Sequence, residues 1–218
     1  MPYIVNMESL NNGNLRQRKR LFISRKTGAR EREKLIYLAL ENECNTVVFS
    51  MNDRFFKNKN AKYIKMITNH GMQIEAGGRD FSLLLPRKLF FFNSGMFRLE
   101  QGIRKLTHHF CPTNPKTIAA VSQNANDLFT AIMQNVTPPR IFHLLPDEEC
   151  ENKWCACPAC RAFRPCEQYI IAANTVADVL AKFDSQARLG YIDYNTEPDA
   201  AGVPPRKNMF SIGTVNNC

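Results

Sequence analysis

The sequence predicts an α/β fold built around a parallel sheet. Short apolar segments rich in β-branched and aromatic residues alternate along the chain with longer segments whose apolar residues recur at helical spacing. Strands that alternate with helices are typical of parallel sheets, which leaves two architectures, a doubly wound sheet and a (β/α) barrel. The glycine-rich motifs of dinucleotide-binding folds and P-loops follow none of the predicted strands, so these nucleotide-binding classes are not expected.

The first half of the chain predicts two repeats of strand and helix. A first strand is expected at residues 21–24, because four apolar or β-compatible residues follow the basic segment there. A helix at 30–43 and a buried strand at 46–49 come next. A second helix at 61–70 ends at Gly71, which favours a helix C-terminus, and leads into a strand at 72–75. Gly77 and Gly78 predict a turn after that strand.

The second half begins with a long insertion at 79–112, and connections of this length are usually functional or contain small elements of their own. A helix then begins with Asn114 as its cap and Pro115 at its first position, and Pro138 ends it. The remaining elements are a strand at 140–145, a helix at 167–183, and strands at 187–194 and 208–212.

The composition is that of a single soluble globular domain. The chain has 218 residues, of which 44% are hydrophobic, and a formal net charge of +9. Its N-terminus lacks the basic head and apolar run of a secretory signal, and its apolar runs are shorter than a membrane span. We therefore expect no membrane association and a cytoplasmic location, with cysteines that are reduced or metal-bound.

The positive charge is concentrated near the N-terminus. Residues 16–34 contain nine lysines and arginines and two glutamates, so they carry +7 of the formal +9. We interpret residues 1–20 as a flexible basic arm. Such an arm can contact phosphates, but it carries no interleaved aromatic residues, and a solvated tail explains it as well. Nucleic acid is therefore not the expected partner.

A cysteine-rich segment predicts a metal site. The C-x-C-x-x-C spacing of Cys155, Cys157 and Cys160 lets three thiolates converge on one ion, and structural zinc takes four tetrahedral ligands. We take Cys150 as the fourth ligand, with Cys111, Cys166 or a histidine as alternatives. Reduced loop thiols or a local disulfide would explain the same cysteines without a metal.

Acidic and aromatic side chains follow several predicted strands. Asp147 and Glu148 come directly after the strand at 140–145, and glycoside hydrolysis needs one carboxyl group as acid and a second as nucleophile, base or orienting group. Loop capping or simple solvation would explain the same two residues without catalysis. Six further side chains are candidate substrate-binding groups, because sugars are bound by aromatic faces and charged hydrogen-bond partners. These are Glu75, Arg79, Asp80, His143, Trp154 and Tyr194.

Several motifs together resemble a bacterial family of domains of unknown function that is similar to the alpha-glucuronidases. The most specific are the Glu-Ala-Gly-Gly sequence at 75–78 and the Trp-Cys-x-Cys-Pro-x-Cys loop at 154–160. The resemblance implies a (β/α) TIM-type barrel with a carbohydrate-directed site at the carboxyl ends of its strands. It also implies that Asp147 or Glu148, after the fourth strand, takes the role of the general acid.

The predicted barrel is incomplete. A closed eight-stranded barrel takes about 250 residues, whereas residues 21–218, the predicted barrel domain, contain about six strands. We expect a truncated barrel whose open sheet edge is covered by a partner or a second copy. The leading hypothesis is a glycoside-hydrolase-like protein that acts on or binds an acidic or amino-bearing sugar. The alternative is a non-catalytic, zinc-stabilised module that binds a polyanion through residues 16–34.

Overall fold

The structure, a computed structural model, describes residues 3–11, 14–23, 27–52, 54–57, 61–107, 109–134, 138–146, 154–194 and 202–215. The strands are β1 (Tyr3–Asn11), β2 (Asn14–Ile23), β3 (Thr46–Phe49), β4 (Gln73–Gly78), β5 (Leu99–Glu100), β6 (Ile103–Arg104), β7 (Ile141–Leu144), β8 (Arg188–Tyr194) and β9 (Met209–Val215). The helices are α1 (Ala29–Glu41), α2 (Arg54–Lys57), α3 (Ala61–Asn69), α4 (Phe81–Leu84), α5 (Pro115–Met133) and α6 (Pro165–Phe183).

In the part of the chain that the structure describes, seven strands form one sheet in the order β1-β2-β3-β4-β7-β8-β9. The β1–β2 pair is antiparallel, and every pair from β2 to β9 is parallel. The six parallel strands curl into a half-barrel. The predicted α/β class and the prediction of about six strands are therefore confirmed, whereas the predicted TIM-type barrel is confirmed only as far as this half-barrel.

The two faces of the sheet carry different residues. Helices cover one face, where Val47, Phe49, Phe142 and Leu189 pack with apolar residues from α1, α3, α5 and α6 in the main core. The other face, here called the inner face, carries a smaller apolar cluster of strand residues. Its buried members are Phe22, Val48, Leu145 and Ile212. Because helices pack on one face in the described residues, the arrangement is that of a barrel segment and not of a doubly wound sheet.

The long helices begin as the sequence predicts. The side chain of Asn114 accepts a hydrogen bond from the Lys116 backbone N–H at 2.9 Å, and Pro115 occupies the first position of α5. The α6 helix also begins at a proline, Pro165, two residues before the predicted start. The two helices pack against each other. Among the described residues, no helix combines the length and apolar character that a membrane span requires.

Two local predictions differ from the structure. The first strand is longer than the predicted 21–24, because β2 begins at Asn14 and pairs with β1. Most of the predicted arm at 1–20 therefore lies in these two strands. Gly77 and Gly78 do not form a turn but end β4. Their positive φ values of 119° and 127° suit glycine, and a Cβ atom at Gly77 would collide with the backbone of His143 on the neighbouring strand.

The insertion at 79–112 contains several small elements. It holds α4, two 3₁₀ turns (Arg87–Phe91 and Ser94–Met96) and the two-stranded sheet of β5 and β6. An isolated antiparallel β-bridge pairs Phe97 with Phe110 near the end of the insertion. The prediction that this long connection contains elements of its own is thereby confirmed.

Candidate functional site

Four buried cysteines come together between the insertion and the segment before α6. The Sγ atoms of Cys111, Cys155, Cys157 and Cys160 all lie within 4.8 Å of one another. The Cys111 sulfur is 3.6 Å from that of Cys157 and 3.6 Å from that of Cys160. Four sulfurs around one zinc ion at about 2.3 Å are about 3.8 Å apart. The thiols are therefore spaced for a single metal ion, and we call them the four-cysteine group.

The sequence predicted three of these four residues as ligands. Cys155, Cys157 and Cys160 lie together as expected, and the fourth thiol is that of Cys111, which was an alternative in the sequence. Cys150, the preferred fourth ligand, lies outside the described residues. Cys166 is disulfide-bonded and supplies no thiolate, so the expectation that the cysteines are reduced or metal-bound is wrong for this residue.

The pKa values of Cys111, Cys155 and Cys160 are shifted in opposite directions. The pKa of Cys111 is lowered by hydrogen bonds to its sulfur, first from Cys155 and then from Cys160. The pKa values of Cys155 and Cys160 are raised, and the largest cause for each is the hydrogen bond to Cys111. The hydrogen bonds within the group thus favour ionisation of Cys111 over that of Cys155 and Cys160. A metal ion bound by four thiolates would displace those protons.

Donors surround the sulfurs from the outside. The Leu99 backbone N–H and the Arg104 guanidinium Nη1 lie 3.2 and 3.8 Å from the Cys155 sulfur. The Thr113 hydroxyl lies 3.1 Å from the Cys160 sulfur. Four thiolates on a divalent ion leave a net charge of about −2, and such donors offset it.

Gln168, in the first turns of α6, holds the cysteine loop in shape. Its side-chain Oε1 accepts from the Cys155 backbone N–H at 3.0 Å, and its Nε2 donates to the carbonyls of Cys155 and Cys160, each at 3.1 Å. This side chain is buried. Sequence reasoning missed Gln168, because a single glutamine in a helix carries no spacing signal.

Trp154 is packed inside the protein. Its ring stacks on His109 with centroids 4.0 Å apart and an interplanar angle of 7°, and only 8% of the residue is exposed. An edge contact with Phe81 and a tilted contact with Tyr169 pack against it further. The ring face against His109 is therefore unavailable to a sugar, although Trp154 is a predicted substrate-binding residue.

The carboxyl ends of β3, β4 and β7 are joined by polar contacts. Asp80, after β4, accepts hydrogen bonds from the Ser50 hydroxyl at 2.7 Å and the Met51 backbone N–H at 2.8 Å, so it anchors the segment after β3. Arg79 donates from Nη1 to the Pro146 carbonyl at 2.6 Å. Pro146 immediately precedes the predicted catalytic pair, Asp147 and Glu148, which lie outside the described residues.

Glu75 and His143 meet on the inner face. His143 Nε2 lies 2.6 Å from Glu75 Oε2, and the Arg20 guanidinium binds both Glu75 oxygens at 2.7 and 3.2 Å. All three residues are buried. Burial raises the pKa of Glu75, but the hydrogen bonds from His143 and Arg20 outweigh it and lower the pKa to about 2. The carboxylate is therefore ionised and fully engaged within the protein.

Tyr194 lies at the carboxyl end of β8 and packs in the main core, whereas Glu75 and His143 lie on the inner face. It is 8% exposed and meets Tyr169 edge-on, with ring centroids 5.9 Å apart. It also lines a cavity of about 130 Å³ between β8 and α6. The structure thus brings Glu75 together with His143, and Arg79 near Asp80, but it does not gather all predicted site residues in one place.

Two cations of the basic segment are unavailable to outside partners. Arg20 is completely buried and bonded to Glu75, and Arg32 is 5% exposed and donates to the Thr27 carbonyl. The charge that a polyanion would meet is therefore smaller than the count for residues 16–34 suggests.

The chain matches no protein-family model, and it matches no curated protein.

Proposed function

We propose that this chain is a zinc-stabilised half-barrel that binds carbohydrate at the carboxyl edge of its sheet. The observation that supports the zinc is the four-cysteine group, whose sulfurs lie within 4.8 Å of one another. Burial of four thiols favours a soft or borderline divalent ion, and a tetrahedral set of four thiolates is typical of structural zinc. Four protein ligands leave no open coordination position, so the ion would stabilise the fold and take no part in catalysis.

The ion would join two distant parts of the chain. Cys111 ends the insertion just before α5, whereas the other three cysteines precede α6. Gln168 and Leu99 already hold the loop from both sides, through 3.0 Å and 3.2 Å contacts to Cys155. Such outer contacts orient metal ligands and raise affinity.

Metal analysis of the untagged full chain tests this part. We expect about one zinc per chain for the wild type, and less than half of that for Cys111→Ser. Cys44→Ser is the matched control, because Cys44 is also buried and free but lies outside the four-cysteine group. A wild-type protein purified without metal, and unable to bind added zinc, would contradict the proposal.

The carbohydrate part is supported by the edge formed by β4 and β7. Arg79 reaches across it to the Pro146 carbonyl, and so fixes the chain at the residue before Asp147. The resemblance to glucuronidase-like proteins implies a general acid at Asp147 or Glu148, at the strand ends where barrel enzymes carry their active sites. We propose these two residues as acid or orienting groups, with a sugar as the ligand.

Release of product from a panel of aryl-glycosides and uronic-acid oligosaccharides tests the carbohydrate part. We expect Glu148→Gln or Asp147→Asn to lower the rate about a hundredfold or more, while Asp127→Asn, an exposed carboxylate on α5, leaves it unchanged. Equal rates in the wild type and both site variants would exclude these residues. If no sugar is hydrolysed, binding of the same oligosaccharides is measured. Binding would indicate a non-catalytic carbohydrate-binding protein, and no binding would contradict the carbohydrate part of the proposal.

The alternative proposal is polyanion binding through the remaining basic residues of 16–34. It requires affinity that falls steeply with salt and persists after mutation of the carboxylates. The burial of Arg20 and Arg32 weighs against it. Coverage of the sheet edge by a partner or second copy and a cytoplasmic location also remain proposals. The disulfide at Cys166 weighs against the cytoplasm, since disulfides persist mainly in oxidising compartments.

A further inference from the structure

A cavity of about 130 Å³ opens between the carboxyl end of β8 and the beginning of α6. Four consecutive residues, 191–194, line it from β8, and residues 202, 203 and 205 line it from the segment before β9. Successive side chains of a regular strand point to opposite faces. Here the pairing register of β8 with β9 shifts between Tyr191 and Asp193, and such bulges re-aim side chains next to binding sites.

The charges around the cavity are not balanced. Arg164 and Glu167 satisfy each other, because the Arg164 guanidinium lies 3.4 Å from Glu167 Oε1 and the Arg164 backbone N–H donates to Oε2 at 2.6 Å. The Asp193 carboxylate takes part in none of the hydrogen bonds or ion pairs found among the described residues. Asp193 is therefore the one lining charge in the described part of the chain without a counter-ion.

Two tyrosines complete the wall beside Asp193. Tyr191 and Tyr194 are 9% and 8% exposed, so each turns most of its surface away from water. A tyrosine hydroxyl is protonated at neutral pH and can donate a hydrogen bond. Burial, and then the nearby Asp193, raises the pKa of Tyr191 further. A carboxylate beside aromatic side chains is the arrangement that recognises ammonium groups.

We propose that this cavity binds the ammonium group of a small aminated ligand, with Asp193 as its counter-ion and Tyr191 and Tyr194 as its aromatic wall. The cavity is smaller than the pockets of about 300–1,000 Å³ that enclose drug-sized ligands, so it accepts one amine-bearing unit and not an oligomer. An amino sugar is the class that agrees with the proposed carbohydrate function, and this part of the inference rests on that proposal.

Calorimetric titration of the full chain with D-glucosamine, and with D-glucose as the uncharged match, tests the inference. We expect glucosamine to bind and to weaken with added salt, and glucose to bind at least about tenfold more weakly. Asp193→Asn should lower glucosamine affinity about tenfold or more, and Asp193→Glu, which keeps the charge, should restore part of it. Asp127→Asn, on the exposed face of α5, should bind like the wild type.

Three results would overturn the inference. They are equal affinity for glucose and glucosamine, unchanged affinity in a folded Asp193→Asn variant, and failure of the wild type to bind glucosamine. If Asp193→Asn does not fold, two measurements on the wild-type protein still test the inference. These are the salt dependence of glucosamine binding and the difference in affinity between glucosamine and glucose. If uronic-acid oligosaccharides bind while glucosamine does not, only the aminated-ligand inference fails and the proposed carbohydrate function stands.

Discussion

His143 fits against Gly190 so closely that a Cβ atom at position 190 would lie 2.7 Å from the imidazole Nδ1. Gly77 leaves room for the His143 backbone on the other side, in β4. The imidazole is thereby placed for its 2.6 Å hydrogen bond to Glu75. Two glycines, one on each of the strands that flank β7, make room for His143 beside Glu75 and Arg20 on the inner face.

We expect Gly190→Ala to destabilise the protein by about 1–3 kcal/mol, the usual range for overpacking a core. The added methyl group would also lie 2.7 Å from Ile212 Cγ2. Both the His143 ring and the Ile212 side chain would therefore have to move to accommodate it. Gly213→Ala is the control, because a Cβ at Gly213 meets nothing within 4 Å. Urea unfolding measures both variants, and an equal loss in the two would contradict the steric explanation.

The inner-face carboxylate predicts acid sensitivity. The folded-state pKa of Glu75 lies near 2, below its ordinary value of 4.5, so its contribution to stability is fully present above pH 4.5 and is lost as the pH falls towards 2. The difference in pKa corresponds to about 3 kcal/mol. Unfolding free energies measured across this pH range should therefore fall in the wild type.

Glu75→Gln should remove that part of the pH dependence and destabilise the protein at neutral pH by about 3–5 kcal/mol, because Arg20 then stays buried without a counter-charge. Both proteins are compared in metal-free form, so that protonation of metal ligands does not enter. A Glu75→Gln curve parallel to that of the parent would show that other groups cause the acid sensitivity.

Removal of the metal should lower stability substantially. An ion that joins Cys111 to Cys160, 49 residues apart, closes a loop comparable to that of a disulfide, for which chain entropy gives about 4 kcal/mol. A chelator should therefore lower the Tm of the wild type and leave Cys111→Ser unaffected. The same Tm shift in both proteins would show that the chelator acts at a site other than the four-cysteine group.

Gln168→Met should lower zinc affinity about 10–100-fold while the four thiols remain, because the loop loses the amide that orients it. The absorption spectrum of the cobalt-substituted protein, titrated against zinc, measures this affinity. Gln123→Met is the control, since Gln123 is exposed on α5 and its amide donates to Asp127, far from the cysteine loop in the sequence. Equal zinc affinities in the two variants would show that the Gln168 amide does not orient the metal ligands and contributes only to packing.

Tyr169→Phe should cost about 1–3 kcal/mol of unfolding free energy. The Tyr169 hydroxyl donates to the Leu144 carbonyl at 2.6 Å and accepts from the Ile192 N–H at 3.1 Å, so its loss leaves two strand groups unpaired at the ends of β7 and β8. Tyr37→Phe, at a residue 51% exposed, should be neutral. Thermal unfolding followed by circular dichroism compares the two.

Local patterns were sufficient for much of the fold but not for contacts between distant segments. Asn114 and Pro115 mark the start of α5 because caps are local, and the three cysteines of 155–160 converge because their spacing is short. Cys111 could be only one alternative, since the fold alone brings it to a loop 44 residues away. Lys19 and Arg20 concealed the strand β2, because charged residues hide the alternation that identifies a half-buried strand.

The same limit applies to the inner face. Glu75 and His143 follow apolar residues near predicted strand ends, and this pattern favoured exposed, ligand-facing positions. The structure gives each a partner on another strand, which no single stretch of sequence can indicate. The sequence predicts a turn at Gly77 and Gly78 because glycine marks turns more often than it marks a close approach of two strands.

The position of Cys111 in the sequence determines when the four-cysteine group can form during synthesis. During synthesis this residue leaves the ribosome well before the other three, and the group is complete only when Cys160 has emerged and its loop has docked on the insertion. Metal binding would therefore come late, after α5 has been synthesised. It would occur only once the two halves of the chain are in contact. Until then the insertion and the α6 region have no shared ligand to hold them, and a nascent chain that stops before residue 160 cannot complete the group.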